Sequence, residues 1–354
     1  RAPSLDDCEE VLAWPAEAVE ALGAAQILQV HAEAIASLWA LSREVSAAVA
    51  SLPVEAAAAL HGPVCFDDLL WARCLFDSRA VALEMAAPPE LAVGPGDPGA
   101  PSEGCQWLAV GSGAGVTWVE CPRRVVCLAP YVEMLNHRTH GPCTAPVYDA
   151  AREMLVVSTV ASVPAGGELC LCYGALQNWE LLVYYGFCPE SNPHDRLTLS
   201  LAADSAEDDV GAMHEVVLNL NCIPTDHALR PLGASASREA EVCAGDGRGG
   251  WGLLGGLPPQ LLRCLRVLLT DDAGSLDLDA PPGSDSMLAV DLRCLEALEG
   301  TLADLQASFE PLCQCPPPLW WPLCGEAVTR FRASQRLLVS SNLAAVAELR
   351  SAVE

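Results

Sequence analysis

The sequence contains no lysine: all 19 of its basic residues are arginine, against 46 acidic ones, for a formal net charge of −27. It also has no basic run. A polyanion would be repelled by such a chain, which excludes nucleic acid as a partner. No stretch approaches the ~20 uninterrupted apolar residues that a membrane-crossing helix needs, so a membrane span is excluded too. Low-complexity disorder fails because the aliphatic content is too high for a chain without a core. No signal-peptide pattern opens the chain, which begins at Arg1 and not at Met.

What the chain does have is length and apolar mass. Its 354 residues, 51% of them hydrophobic, allow one domain and favour two, each with a real core. The 17 cysteines are odd in number and scattered, which fits a reduced compartment better than a disulfide framework. Charge is uneven along the chain. Residues 1–122 carry 17 acids and 4 arginines, residues 123–200 carry 7 and 5, and residues 201–354 carry 22 and 10. A nearly neutral centre lies between two acidic flanks.

The periodicities change at about the same places. Val19, Leu22, Ile27, Ile35, Leu38 and Leu41 stand at helical intervals and predict one helix from Val19 to Leu52. A second helix is expected from Phe66 to Met85, opened by Asp67 and Asp68 where carboxylates complement the helix dipole. Residues 86–105 are rich in Pro and Gly and read as a loop or insertion. From Val116 the runs VTWVE, RVVCLAP, MLVVSTV and ELCLCY read as short strands, and the turn Pro164–Gly167 suggests that the last two are neighbours. Cys170 and Cys172 alternate along one of these strands and should face one side as core thiols. A helix Asn178–Tyr185 and a strand Leu197–Leu201 follow. Helices return after Asp204, at Pro258–Thr270, Leu292–Phe309 and Gly325–Val353, with loops at 244–256 and 271–286 between them.

Four clusters carry polar residues of interest: Ser78-Arg79, then Glu133, Asn136 and His137 in LAPYVEMLNHRTH, then Tyr173 ending GGELCLCY, then Asn178, Glu180, Tyr185 and Phe187. Singly, each has a plain reading. Arg79 at a helix end opposes the dipole, Asn136-His137 suits a turn, and Tyr173 is a half-buried strand tyrosine. His137 and His140 lack Cys or Asp partners at metal-ligand spacing, and Cys313, Cys315 and Cys324 have the wrong spacing for zinc, so no metal site is assigned.

In order, the clusters resemble the SET-domain protein methyltransferases of the Rubisco large-subunit methyltransferase type, including their actin-histidine branch. That family writes S-R after a W-A helix, L-x-P-x-x-D-x-x-N-H, G-E-x-x-x-x-Y-G-x-x-x-N-x-E-L-L-x-x-Y-G-F, and N-P-x-D. Here these stand as Trp71-Ala72 with Ser78-Arg79, LAPYVEMLNH, GELCLCYGALQNWELLVYYGF, and Asn192-Pro193-His194-Asp195. Glu133 replaces the usual Asp. The resemblance implies an α+β fold: a SET-type β-fold of short strands with a helical insertion, followed by an all-α C-terminal domain. Residues 1–115 would be the insertion with its Pro/Gly loop, 116–203 the C-terminal SET core, and 204–354 a helical substrate-binding domain. The family's Gly-x-Gly cofactor turn does not precede the insertion, and GSGAG at 111–115 follows it. The N-terminal third of the SET domain is therefore expected to be missing, leaving unpaired strand edges within 116–173.

The resemblance further implies S-adenosylmethionine as cofactor and methylation of a lysine in a non-histone protein, with histidine methylation or a non-catalytic SET-like scaffold as alternatives. By the same analogy Tyr173 is catalytic and lines the substrate channel. Arg79, Glu133, Asn136, His137, Tyr185 and Phe187 would bind cofactor, and Arg79 and Tyr185 also substrate. The acidic flanks suit a protein substrate with a basic segment, and the chain has no lysine of its own to methylate. A monomer in the chloroplast or cytoplasm is expected, with the nucleus open.

Overall fold

The computed structural model describes all residues except 1–3, 6–7, 54, 56–63, 86–105, 111–116, 122, 150, 202–208, 233–256, 271–273, 275 and 313–316. The expectations for the Pro/Gly stretch 86–105, for GSGAG, for the loop 244–256 and for Cys313 and Cys315 lie outside the described residues. In chain order the helices are α1 (Ala16–Glu20), α2 (Ala25–Ala50), α3 (Phe66–Arg79), α4 (Asn178–Tyr185), α5 (Asp209–Leu220), α6 (Pro259–Leu268), α7 (Leu288–Ser308) and α8 (Trp321–Val353). The strands are β1 (Ala80–Met85), β2 (Gln106–Val110), β3 (Thr117–Cys121), β4 (Arg123–Leu128), β5 (Asn136–His137), β6 (Val147–Asp149), β7 (Met154–Val156), β8 (Cys170–Leu171), β9 (Leu197–Ser200) and β10 (Asp226–Leu229). They form two compact units, Arg1–Cys8 with Ala40–Ala175, and Glu9–Trp39 with Leu176–Glu354.

The first unit is built from strand pairs. β1 runs antiparallel to β4, with Ala80 opposite Leu128 and Met85 opposite Arg123. β2 pairs with β3 and β6 with β7, also antiparallel, whereas β5 and β8 are parallel with Asn136 opposite Cys170. No closed barrel forms among the described residues. Three sequence expectations are corrected here. The helix from Phe66 ends at Arg79, and Ala80–Met85 is strand, because pairing with β4 overrides the helix propensity of Ala, Leu, Glu and Met. The Pro164–Gly167 turn is present, with the Gly167 N–H on Pro164 O at 2.9 Å and Gly166 at φ +81°. It does not join neighbours, however, since β7 pairs with β6 and β8 with β5. Finally, Cys170 is buried and Cys172 exposed, because the strand ends at Leu171 and the alternation stops with it.

The second unit is a helical core. Along α8 one buried seam runs through Cys324, Val328, Phe331, Gln335, Leu338, Asn342, Ala345 and Leu349, at alternating intervals of four and three, with Gly325, Arg332, Val339 and Val346 buried beside it. That seam packs with Leu295, Leu298 and Leu302 of α7, Val19, Leu22 and Ile27, and Leu182 of α4. Gly325 permits the first turn to close on itself, since a Cβ there would lie 2.5 Å from the Trp321 ring. The single helix expected over Val19–Leu52 is two helices. Gly23 sits at φ +71° between α1 and α2, and a Cβ there would lie 2.9 Å from Arg332 Nη1. Arg332 explains the break: it donates to Ala21 O at 2.9 Å and Ser308 O at 2.7 Å, taking up carbonyls that two helix ends leave without partners.

A second buried arginine fixes α6 to α7. Arg266 and Asp291 are both fully buried and meet through Nε–Oδ1 at 2.6 Å and Nη2–Oδ2 at 2.8 Å. Arg266 also donates to Ala280 O, and the Gly283 N–H donates to Asp291, so the loop ahead of α7 is held by the same pair. The region after residue 203 is not wholly helical, because β10 pairs antiparallel with β9, His227 opposite Leu199. No helix among the described residues is long and apolar enough to cross a membrane.

Candidate active site

In the first unit the site grows from the short parallel ladder of β5 and β8. The chain enters β5 through a tight bend. Tyr131 stands at φ +70°, strained for an aromatic residue, and the bend is closed by Glu133 N–H on Ala129 O and Met134 N–H on Tyr131 O. Leu135 then lies beside the ladder with its carbonyl turned to the second residue after β8. There the Tyr173 hydroxyl donates to Leu135 O at 2.8 Å. Its backbone N–H donates to His137 Nδ1 at 3.1 Å, and the two rings lie 5.1 Å apart at 56°. His137 Nδ1 is therefore taken up as an acceptor. Tyr173 is thus held at both its backbone and its phenol by the segment that carries Asn136 and His137.

The ladder is tight because of Gly141. A Cβ there would meet Cys170 O at 2.7 Å, so only glycine lets the 138–143 turn lie against β8. Arg138 N–H on Leu171 O and Cys143 N–H on Cys170 O extend the pairing. Asn136, opposite Cys170, donates from Nδ2 to Glu168 Oε1 at 2.6 Å. Burial is the leading cause that pushes the Cys170 thiol above its usual range, and the Glu168 carboxylate adds to it.

Arg79, the last residue of α3, reaches Met134 Sδ at 3.8 Å and has no carboxylate partner among the described residues. Glu133 is half-buried and makes no side-chain hydrogen bond among them. The structure therefore brings Tyr173 into direct contact with His137 and the Leu135 carbonyl, sets Asn136 beside them in β5 with its side chain on Glu168, and sets Arg79 against Met134. Glu168 and the Leu135 carbonyl were not among the residues the sequence singled out. The Gly-Glu pair ahead of the strand was a signal for Glu168; a backbone carbonyl leaves none.

Tyr185 and Phe187 belong to the second unit. Their rings lie 6.4 Å apart at 58°, on either side of Gly186. Gly186 caps α4 at φ +77°, its N–H on Leu182 O, and a Cβ there would lie 2.6 Å from the Glu9 backbone. The other end of α4 is a buried polar knot. The Gln177 N–H donates to Glu180 Oε2, the Asn178 N–H donates to Asp195 Oδ1 at 2.9 Å, and Asn192 Nδ2 donates to both Asn178 Oδ1 and Leu176 O. Gln335 of α8 donates to Asp195 Oδ2 at 3.0 Å. Burial pushes the Asp195 carboxyl up to about 6 despite these donors. Asn178, Glu180, Asn192 and Asp195 are thus fold-holding residues: their polar atoms are taken up by the backbone and by one another.

No protein-family model matches the chain, and no curated protein matches it. Solved structures do. The SET domain of LSMT bound to lysine and AdoHcy matches 99% of this chain and 70% of its own, at 15% identity and a TM-score of 0.56. Rubisco LSMT bound to AdoMet matches the same shares at 15% identity and a TM-score of 0.53. Rubisco LSMT bound to sinefungin and monomethyllysine gives 0.55, again at 15% identity. The chain has the fold of these SET-domain structures: mixed, with short strands and no closed barrel among the described residues.

Proposed function

We infer that the chain is an S-adenosylmethionine-dependent protein methyltransferase acting on a lysine of a non-histone protein. The observation that carries this reading is the double hold on Tyr173, hydroxyl on Leu135 O and N–H on His137, beside Asn136. The likeness to structures that hold AdoMet, AdoHcy and lysine supports it, as do the ordered motifs.

The residues present fit the cofactor by their donor set. Arg79 is a guanidinium without a carboxylate partner among the described residues, suited to bind a carboxylate through two parallel N–H groups. Asn136 offers Oδ1 as an acceptor, which suits an ammonium, and His137 stands next to it for the adenine side. Glu133 adds a carboxylate. When bound, S-adenosylmethionine supplies a methyl group already activated on a sulfonium, so the protein need not build an electrophile.

The chain's residues have three tasks. They align the incoming amine, keep it neutral by excluding water, and accept weak C–H···O contacts from the polarised methyl. A lysine amine is mostly protonated at neutral pH, with an ordinary pKa of ~10.4, so an apolar channel must help release its proton. Tyr173 suits the third task. A phenol whose proton is committed to the Leu135 carbonyl acts in its other directions as an acceptor. Residues 204–354 would bind the substrate, and the net charge of −27 suits a basic segment of a protein. We place the protein in the chloroplast or cytoplasm, as a monomer.

The test is transfer of an isotope-labelled methyl group from S-adenosylmethionine to proteins of a cell extract, with the modified residue read by mass spectrometry. Label on lysine is expected. Label on histidine would move the chain to the histidine-directed branch. A second reading, a non-catalytic binding protein, draws on one observation: a groove of about 540 Å³ in the second unit, lined by Phe309, Leu312, Trp321, Ala333 and Leu337. Binding of a protein partner without any label transfer would favour it.

A further inference from the structure

Glu168 lies 32 residues from Asn136 in sequence, and its Oε1 accepts the Asn136 amide at 2.6 Å. The register makes this meeting systematic. Asn136 stands opposite Cys170 in the parallel ladder, and Glu168 precedes Cys170 by two residues. Gly141 holds that ladder close, because any side chain there would strike Cys170 O.

The chemistry of the pair is asymmetric. An ionised carboxylate only accepts hydrogen bonds, whereas an amide has one end that donates and one that accepts. Glu168 therefore fixes which way the Asn136 amide faces: NH2 toward Glu168, oxygen away from it. No donor among the described residues occupies that oxygen. An unrestrained amide would turn over freely and present a donor as often as an acceptor.

We propose that Glu168 is a positioning residue that locks Asn136 as an acceptor, so that the site selects a ligand offering a positively charged N–H donor, such as the ammonium of the cofactor's amino-acid part. The choice of that ammonium rests on the methyltransferase reading above; the orienting role of Glu168 does not. No covalent step is involved.

The experiment uses the whole chain and S-adenosylhomocysteine as probe, titrated by calorimetry. Glu168→Ala should weaken binding by about tenfold or more, the usual worth of a charge-assisted hydrogen bond that orders a contact group. Glu168→Gln keeps a hydrogen bond but can pair with either end of the amide, so its affinity should fall between the two. In an Asn136→Ala background, Glu168→Ala should cost nothing further, because the group it orients is gone. Unchanged affinity in Glu168→Ala, or losses that multiply in the double variant, would overturn the proposal. A purely structural role would lower the melting temperature and leave the affinity of the folded protein intact.

A second measurement is independent of the cofactor. The Asn136 side-chain amide proton that is donated to Glu168 should exchange more slowly in the wild type than in Glu168→Ala. Equal exchange in both proteins would refute the orienting role. If the wild type failed to bind S-adenosylhomocysteine while the exchange difference held, the methyltransferase reading would fall and the orienting role would stand.

Discussion

The two units use polar side chains in opposite ways. In the second, arginine and amide N–H groups are buried and taken up inside the core: Arg332 by Ala21 O and Ser308 O, Arg266 by the Asp291 carboxylate and Ala280 O, and Asn342 Nδ2 by Arg230 O. In the first, Asn136, Glu168 and Arg79 keep hydrogen-bonding capacity that no described residue takes up, and they cluster along one short ladder. Buried donors taken up inside the core hold a fold, whereas more exposed groups with capacity to spare mark where a site is to be sought. The difference teaches where to look for a site when identity to known structures is only 15%. It also separates motif residues that hold the fold, such as Asn178 and Asp195, from Asn136 and Arg79, whose polar atoms no described residue fully takes up.

The comparison breaks most visibly at the Arg266–Asp291 pair. Arg266→Ala should destabilise the second unit by about 3–5 kcal/mol, because it leaves Asp291 charged, buried and unpaired. Replacing both residues with apolar ones of similar volume should cost much less. Chemical denaturation of the single and double variants checks this, and equal losses would show that the pair is not a closed unit.

Next comes Asp195. Its folded pKa of about 6 lies above the ordinary value of 3.8, so the folded state holds the proton more tightly than the unfolded one. Its contribution is fully present below the unfolded value and is lost as pH rises through about 6. Between those limits the wild type should lose on the order of 3 kcal/mol relative to Asp195→Asn. The asparagine needs only a turned Gln335 amide to keep its bonds. Parallel stability curves for the two proteins from pH 4 to 7 would contradict the shift.

In the first unit, Asn136→Ala should leave the fold intact and weaken S-adenosylhomocysteine binding by about 1–3 kcal/mol, because it deletes contacts made equally in ground and transition states. Calorimetric titration decides it; wild-type affinity would take Asn136 out of the ligand site.

How much of this was legible depends on how local each signal was. The helix Asn178–Tyr185 was read with its true ends, since a capping Glu180 and a Gly186 stop are written within the helix and its next residue. The strand expected over Leu197–Leu201 is present as Leu197–Ser200. Gly23 was not read as a break, because the reason for it is Arg332, some three hundred residues away. Ala80–Met85 looked helical because nothing local announces its partner β4. Strand β2 lay in a stretch assigned to the helical insertion and its loop, and its pairing with β3 is equally non-local. At the site, Tyr173, Asn136 and His137 were legible through ordered motifs. What holds them was not: the Leu135 carbonyl is a backbone atom, and Glu168 matters only through a contact across 32 residues.

The most direct test of the central claim is Tyr173→Phe, followed by three measurements on one preparation. The loss of one hydrogen bond to Leu135 O should lower stability by no more than about 0.5–1.5 kcal/mol. Affinity for S-adenosylhomocysteine should stay at the wild-type value, because the hydroxyl acts at the reacting centre. Methyl transfer should fall by on the order of a hundredfold or more. Wild-type turnover in the folded variant would contradict the account, and would leave Tyr173 as one more residue that only holds the fold.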